Sequence, residues 1–134
     1  MQSISLRNRS SDSGTLSDFL TAYAKSLNIS DESYNDLRLI VEETFINITS
    51  YACMDDEQSI IIEIDSTPTE INVTFTDSGV AFNPLTDAKE CKETDGHCDG
   101  GMGIHIIRSL SDCLEYNRIN HHNVFTITKH YTKR

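Results

Sequence analysis

Three separated segments carry residue types that could do chemistry together. Glu43 and Asn47 are four residues apart within VEETFINITSYA (41–52). The second segment is Asp77-Ser78-Gly79, and the third is the glycine-rich run Gly100-Gly101-Met102-Gly103. Taken singly, each has an ordinary structural interpretation: a solvated polar pair on a helix, a turn after a strand, or a flexible start to a helix.

The same residues also suit the binding of a nucleotide with magnesium. The amide oxygen of Asn47 can ligate Mg²⁺, which prefers oxygen ligands, and Glu43 can act as a general base or position a water. Asp77 can accept a hydrogen bond from an exocyclic amino group such as that of adenine, and Gly79 lets a ring approach the backbone. Glycines that open a helix expose N–H groups that bind phosphate. The pattern is neither a Walker loop nor a dinucleotide fingerprint.

The elements that position these segments can be predicted from hydrophobic periodicity. The order is β-α-α-β-β-loop-α-β-β, which predicts one α+β domain over 1–134: a two-layer sandwich with a mixed or antiparallel sheet and helices on one face. The predicted strands are 3–8, 59–65, 71–77, 113–119 and 123–131, and the predicted helices are 15–29, 32–53 and 104–113.

The second predicted helix places Glu43 and Asn47 beside its apolar stripe, where the helix passes from core to solvent. Side chains at such a boundary could line the wall of a pocket. The residues that form the stripe are Leu37, Val41, Thr44, Phe45, Ile48 and Ala52.

A long polar stretch, residues 85–101, separates the second and third segments and has few large apolar residues. Within a compact domain, a loop of this length is usually a lid or a binding loop.

Net charge is −10, from 11 basic and 21 acidic residues. Such a chain is a poor candidate for nucleic-acid binding, which depends on Lys and Arg. No stretch is long and apolar enough to span a membrane, and the N-terminus lacks the apolar core of a signal peptide. We therefore expect a cytoplasmic protein, in which the glycosylation patterns at Asn28, Asn47 and Asn72 carry no meaning.

The four cysteines are expected to be reduced thiols in a cytosolic chain. A metal site built from the segment 91–98 and the pair His121-His122 remains an alternative, although its spacing fits no standard zinc pattern. The residues concerned are Cys53, Cys91, Cys98 and Cys113, with His97 in the same segment.

In combination, the three segments resemble the histidine-kinase-like ATPase fold in its small stand-alone form, the anti-sigma regulatory factor and serine-protein kinase family. Residues 43–52, ETFINITSYA, look like the N box of that family. Residues 76–84, TDSGVAFNP, look like its G1 box, and GMGIHIIR at 101–108, followed by Asp112, looks like its G2 box. The resemblance covers about residues 3 to 130.

That resemblance implies a role for each matched position. Asn47 would hold Mg²⁺, Asp77 would read adenine, Glu43 would be the base that activates a substrate serine, and residues 85–100 would form the ATP lid. The residues implied to bind the cofactors ATP and Mg²⁺ are Asn47, Asp77, Gly79, Ala81, Phe82, Gly100, Gly101, Met102 and Gly103.

The function implied by the resemblance is an Mg-ATP-dependent serine/threonine kinase that binds a sigma factor or similar regulator. It would phosphorylate an antagonist protein in a partner-switching pathway. A homodimer is also compatible with the resemblance. A sensor histidine kinase is disfavoured, because no helix pair carrying a phosphoacceptor His is present in the sequence.

The chain departs from the family pattern at two places, of which the first should alter the pocket floor only slightly. The second favours an alternative, a non-catalytic module that sequesters a regulator under nucleotide control. Ala81 stands where many relatives have Gly. The Arg that often precedes the G2 glycines is replaced by Cys98-Asp99, with His97 and the lysines at 89 and 92 nearby. Because a transferring phosphoryl group needs cations, ATP binding is a safer expectation than kinase turnover.

Overall fold

Helices and strands follow one another along the chain in the predicted order. In the computed structural model, residues 1–53, 55, 57–87 and 101–134 are described. They form β1 (Gln2–Arg7), α1 (Ser10–Leu27), α2 (Asp31–Asn47), a π-helical turn (Ile48–Ala52), β2 (Ser59–Ser66), β3 (Glu70–Asp77), α3 (Gly101–Leu110), β4 (Cys113–Ile119) and β5 (His122–His130).

The five strands form one sheet in the order β1-β2-β3-β5-β4, and all four pairings are antiparallel. Of the two predicted alternatives, a mixed or an antiparallel sheet, the structure has the second. Strict alternation along β2 and β3 places one apolar face against the helices, and the α+β class is confirmed. The sheet residues buried in that core are Ile60, Ile62, Ile64, Ile71, Val73, Phe75, Phe125 and Ile127.

A two-residue turn joins β4 to β5 and fixes the register of the last hairpin. Asn120 and His121 have φ values of 49° and 65°, as a type I′ turn requires. The resulting register continues into the β3–β5 pairing, where Asp77 lies opposite Asn123. The hairpin therefore places the side chain of Asn123 beside Asp77, at the end of β3.

The first helix differs from its prediction at both ends. It begins at Ser10, so that the cluster SSDSG belongs to its first turn and is not a separate turn. Asp12 stabilises this start, because its carboxylate accepts a hydrogen bond from the Arg7 N–H at 2.6 Å and lies at the positive end of the helix. The helix ends at Leu27 because Asn28 adopts a left-handed conformation, with φ of 53°.

The second helix begins as expected, with the Ser30 side chain accepting a hydrogen bond from the Ser33 N–H. The predicted α-helix to residue 53 is wrong beyond Asn47, where the chain winds into the π-helical turn. Asn8 holds that turn, because its side-chain amide donates to the carbonyls of Thr49 (3.0 Å) and Cys53 (3.1 Å). Single π turns inside helices are frequent at functional sites.

The third helix runs from Gly101 to Leu110, three residues earlier at each end than predicted. The glycines at 101 and 103 are therefore part of its first turn. It stops at Leu110 because Cys113 already pairs with Thr128 in the sheet. Within the described ranges, no helix is long and apolar enough to cross a bilayer.

Candidate functional site

Glu43 and Asn47 lie against the first turn of α3. A Cβ built on Gly103 would lie 2.8 Å from Glu43 Oε2 and 3.6 Å from Asn47 Nδ2. The absence of a side chain at Gly103 thus lets the backbone of α3 approach both polar groups. The structure brings together two segments that are separated by more than fifty residues in the chain, as the sequence analysis expected.

The Asn47 amide is buried without a partner for its nitrogen. Only 2 % of the residue is exposed, and Nδ2 has no hydrogen-bond partner among the residues that the structure describes. A buried polar atom left without a partner costs about 1–3 kcal/mol. A ligand atom that accepts a hydrogen bond from this N–H group would recover part of that cost, so the residue fits a binding role. The oxygen of the same amide is separately of the kind that Mg²⁺ prefers.

Asp77 ends β3 and is also 2 % exposed. Its Oδ1 accepts a hydrogen bond from the Gly79 N–H at 2.9 Å and another from Asn123 Nδ2 at 3.0 Å. This geometry makes Asp77 a fixed, buried hydrogen-bond acceptor at the end of β3.

Gly79, which follows Asp77 in the chain, packs against the π-helical turn at the end of α2. A Cβ at position 79 would lie 2.3 Å from the carbonyl oxygen of Ala52, which is far inside contact distance. That carbonyl also accepts a hydrogen bond from the Val80 N–H at 3.2 Å. Only a glycine permits this approach, so the π-helical turn and the loop after β3 pack as one unit.

An aromatic pair reinforces the same junction. The rings of Tyr51 and Phe82 stack with their centroids 5.1 Å apart and an interplanar angle of 22°. Tyr51 belongs to the π-helical turn and Phe82 to the loop after β3. Since aromatic pairs contribute about 0.5–1.5 kcal/mol beyond burial, the stack fixes the loop relative to Asn47.

Sequence reasoning missed three residues that hold the loop from its other side. Asn123 bonds Asp77, as described above, and also donates to the Val80 carbonyl at 2.8 Å. Tyr116 donates its hydroxyl to Asn123 Oδ1, and Arg118 Nη1 donates to the Gly79 carbonyl at 2.9 Å. No sequence motif marks these residues, because only the sheet register brings them to Asp77.

The remaining predicted positions divide into two sets. Phe82 is buried, whereas Ala81 is exposed, and Gly101 and Met102 lie in the first turn of α3. Gly100 and most of the expected lid, residues 88–100, lie outside the described residues, as do Cys91, His97 and Cys98. In the part of the chain that is described, no group of three or more His, Cys, Asp or Glu side chains could hold a metal.

A cavity of about 330 Å³ lies elsewhere, lined by residues from the end of α1, the start of α2 and Arg134. None of the predicted site residues lines it. The volume of a cavity therefore does not identify the candidate site. We instead assign the candidate site to the region where the buried polar side chains converge.

Cys53 follows the π-helical turn and is fully buried. Burial raises the pKa of its thiol from 9.0 to about 11, and the negative charges of Asp77 and then Asp55 add to the rise. A thiol that remains protonated is a poor nucleophile. Cys53 is therefore a packing residue next to the site.

Comparison with known proteins shows the family of the chain. Residues 6–129 match the family model of the histidine kinase-like ATPase domain. The chain is 29 % identical over 100 residues to the anti-sigma F factor of Clostridium perfringens strain 13, covering 72 % of this chain and 71 % of that protein. The same protein from strain SM101 matches equally well.

A solved structure has the same fold. The nucleotide-free catalytic domain of the histidine kinase ThkA superposes with a TM-score of 0.53 at 10 % identity, and each chain is covered completely. At this identity the likeness concerns the fold alone.

Proposed function

Because the chain belongs to the histidine kinase-like ATPase domain family, we propose that it binds Mg-ATP between α2, the loop after β3 and the start of α3. The observation that carries this proposal is the convergence of Glu43 and Asn47 on Gly103, together with the fixed acceptor Asp77, whose neighbour Gly79 packs on the π-helical turn that follows Asn47. The chain supplies one group suited to each part of the nucleotide: a carboxylate for the base, an amide for the metal and a glycine-bearing helix start for the phosphates.

Each residue of the site has a separate role in binding the nucleotide or in phosphoryl transfer. Asp77 accepts the hydrogen bond of the adenine amino group, and Gly79 allows the ring to approach the backbone. Asn47 holds Mg²⁺, which when bound neutralises phosphate charge. The first turn of α3 offers N–H groups to the phosphates. Glu43, beside Asn47, takes the proton from an attacking serine or threonine hydroxyl.

We further propose that the chain is a regulatory serine/threonine kinase of the anti-sigma type. The likeness to an anti-sigma F factor over 100 residues supports this, as does the carboxylate of Glu43 next to the metal-binding position. Its partners would be a sigma factor or similar regulator and an antagonist protein that receives the phosphoryl group.

A second candidate is a module that binds its partner under nucleotide control without transferring phosphate. The sequence favours it at one point: Cys98-Asp99 stands where a cation would neutralise the terminal phosphate. Both candidates require nucleotide binding and differ only in turnover.

A thermal-shift titration with Mg-ATP tests the common part, because a ligand that binds only the folded state raises the apparent stability. We expect a shift in the native protein that disappears in Asp77→Asn. The matched control is Asn72→Ala, on the same strand but on the opposite face of the sheet. An Mg-ATP shift of zero in the native protein would overturn the proposal.

Turnover is tested by incubating the protein with γ-labelled ATP and a candidate antagonist, with Glu43→Ala as the comparison. Transfer that is lost in Glu43→Ala while ATP binding persists would support the kinase. ATP binding without transfer to any antagonist would leave the non-catalytic module as the function.

A further inference from the structure

A buried asparagine on β5, Asn123, bonds both Asp77 and the backbone of the loop that follows it, at Val80 and Phe82. We propose that Asn123 is the positioning residue that holds Asp77 ready to read the amino group of adenine, and thereby sets the selectivity for the base. This inference rests on the proposed nucleotide-binding function and deepens it.

Asn123 is 3 % exposed, and four hydrogen bonds use its whole amide. Its Nδ2 donates to Asp77 Oδ1 at 3.0 Å and to the Val80 carbonyl at 2.8 Å. Its Oδ1 accepts from the Phe82 N–H at 3.2 Å and from the Tyr116 hydroxyl. An asparagine amide has two N–H donors and two acceptor positions, so this side chain is fully satisfied.

Because all four hydrogen-bonding positions of the Asn123 amide are used, the amide has a single orientation. Turning it by 180° would set its oxygen against Asp77 Oδ1 and its N–H groups against the Phe82 N–H, breaking the bonds to Asp77, Val80 and Phe82. A buried polar network in which every member is satisfied is rigid. The donor side of Asn123 therefore always faces Asp77.

The orientation of Asp77 follows from this arrangement. The Gly79 N–H and Asn123 Nδ2 approach the same carboxylate oxygen, Oδ1. The two hydrogen bonds that the described residues make to Asp77 thus leave Oδ2 to accept from a ligand. A group held in its binding orientation before the ligand arrives adds affinity, because no ordering cost is incurred on binding.

Selectivity follows from the chemistry of the acceptor. Asp77 as a carboxylate only accepts hydrogen bonds, so it favours a base that presents an amino group. Without Asn123, the Asp77 carboxylate would keep only the hydrogen bond from the Gly79 N–H and would be held less firmly in its binding orientation. The contacts to ribose and phosphates do not pass through Asn123 and would be retained.

The test compares ATP with purine riboside triphosphate, which differs from ATP only in lacking the 6-amino group. Dissociation constants are measured by isothermal titration calorimetry with Mg²⁺ for the native protein and for Asn123→Ala. We expect a preference for ATP of about ten-fold or more in the native protein, the size of one hydrogen bond to a charged group. In Asn123→Ala we expect this preference to fall to about three-fold or less.

Thr128→Val is the matched control, because Thr128 also bonds across the β3–β5 pair, donating to Asn72 Oδ1 at 2.7 Å on the other face. It should weaken the same strand pair without changing the preference. Should Asn123→Ala fail to fold, Tyr116→Phe removes only the hydroxyl that bonds Asn123 Oδ1 and should reduce the preference in the same direction.

The outcomes separate the two proposals. A native protein that binds no nucleotide overturns the proposed function and this inference with it. A native protein that prefers ATP, together with an unchanged preference in Asn123→Ala or in a substitute Tyr116→Phe, overturns the inference alone. Equal binding of both triphosphates by the native protein shows that Asp77 does not read the amino group, which also overturns the inference.

Discussion

Gly103 and Glu43 are in direct apposition: a Cβ at position 103 would lie 2.8 Å from Glu43 Oε2. The carboxylate is the mobile end of a side chain and can move aside, whereas the helix backbone cannot. A side chain at position 103 would therefore displace Glu43 without distorting the fold. The contact joins the proposed base to the proposed phosphate-binding turn.

We expect Gly103→Ala to bind Mg-ATP about ten-fold more weakly, a loss of ~1.4 kcal/mol, because the methyl group occupies the approach to the phosphates and displaces Glu43. Its melting temperature should be equal to or above that of the native protein, since Ala favours a helix by about 0.5–1 kcal/mol over Gly. Calorimetry and thermal melting measure the two effects. Gly14→Ala is the control, because Gly14 lies in α1 with nothing within 4 Å, and its affinity should not change.

Gly79→Ala should act on stability. Its Cβ would meet the Ala52 carbonyl at 2.3 Å, and backbone on both sides must move. We expect the free energy of unfolding to fall by about 1–3 kcal/mol, as for other overpacked sites, measured by urea denaturation. Ser78→Ala, at the exposed neighbouring position, should stay within about 0.5 kcal/mol of the native value. If Gly79→Ala had the same free energy of unfolding as the native protein, the loop and the π-helical turn would not be packed as described.

Asn47→Leu should stabilise the fold while removing metal-dependent binding. The substitution eliminates a buried amide nitrogen that has no partner among the described residues and should raise the free energy of unfolding by about 1 kcal/mol. The Mg²⁺ dependence of ATP binding should disappear. Thr44→Val, one turn earlier, removes a hydroxyl that is satisfied by the Ile40 carbonyl at 2.7 Å, so it should not stabilise and should leave the Mg²⁺ dependence intact. A destabilised Asn47→Leu would contradict the prediction.

The raised pKa of Cys53 predicts a pH dependence at alkaline pH. The unfolded chain ionises this thiol near 9.0, whereas the folded chain keeps the proton until about pH 11. Above pH 9 the unfolded state therefore binds fewer protons, and folding stability falls as the pH rises to about 11, by roughly 2 to 3 kcal/mol. Denaturation at pH 8 and pH 10.5 should show a smaller fall in Cys53→Ala than in the native protein. Cys113→Ala, at an exposed position, should behave like the native protein.

The strands were the best-predicted part of the fold. The predicted bounds of β2, β3 and β4 agree with the structure to within a residue, and β2 and β3 alternate between a buried face and a more exposed one. Helix ends were less predictable. The start of α1 depends on the Asp12 carboxylate meeting the Arg7 backbone, and the end of α2 depends on Asn8 binding carbonyls more than forty residues away. The first contact spans only five residues, whereas the second cannot be seen in a local window.

For the site, the sequence by itself determined the chemical inventory: Glu43 and Asn47 one helical turn apart, an acid and a glycine after a strand, and glycines at the start of a helix. These depend on local spacing, which the chain alone specifies. Only the tertiary structure decided what supports them. Asn123 reaches Asp77 through the β3–β5 register, and Gly79 reaches Ala52 through a π-helical turn. Such contacts join segments that are distant along the chain, so their geometry exists only once the sheet and helices have packed.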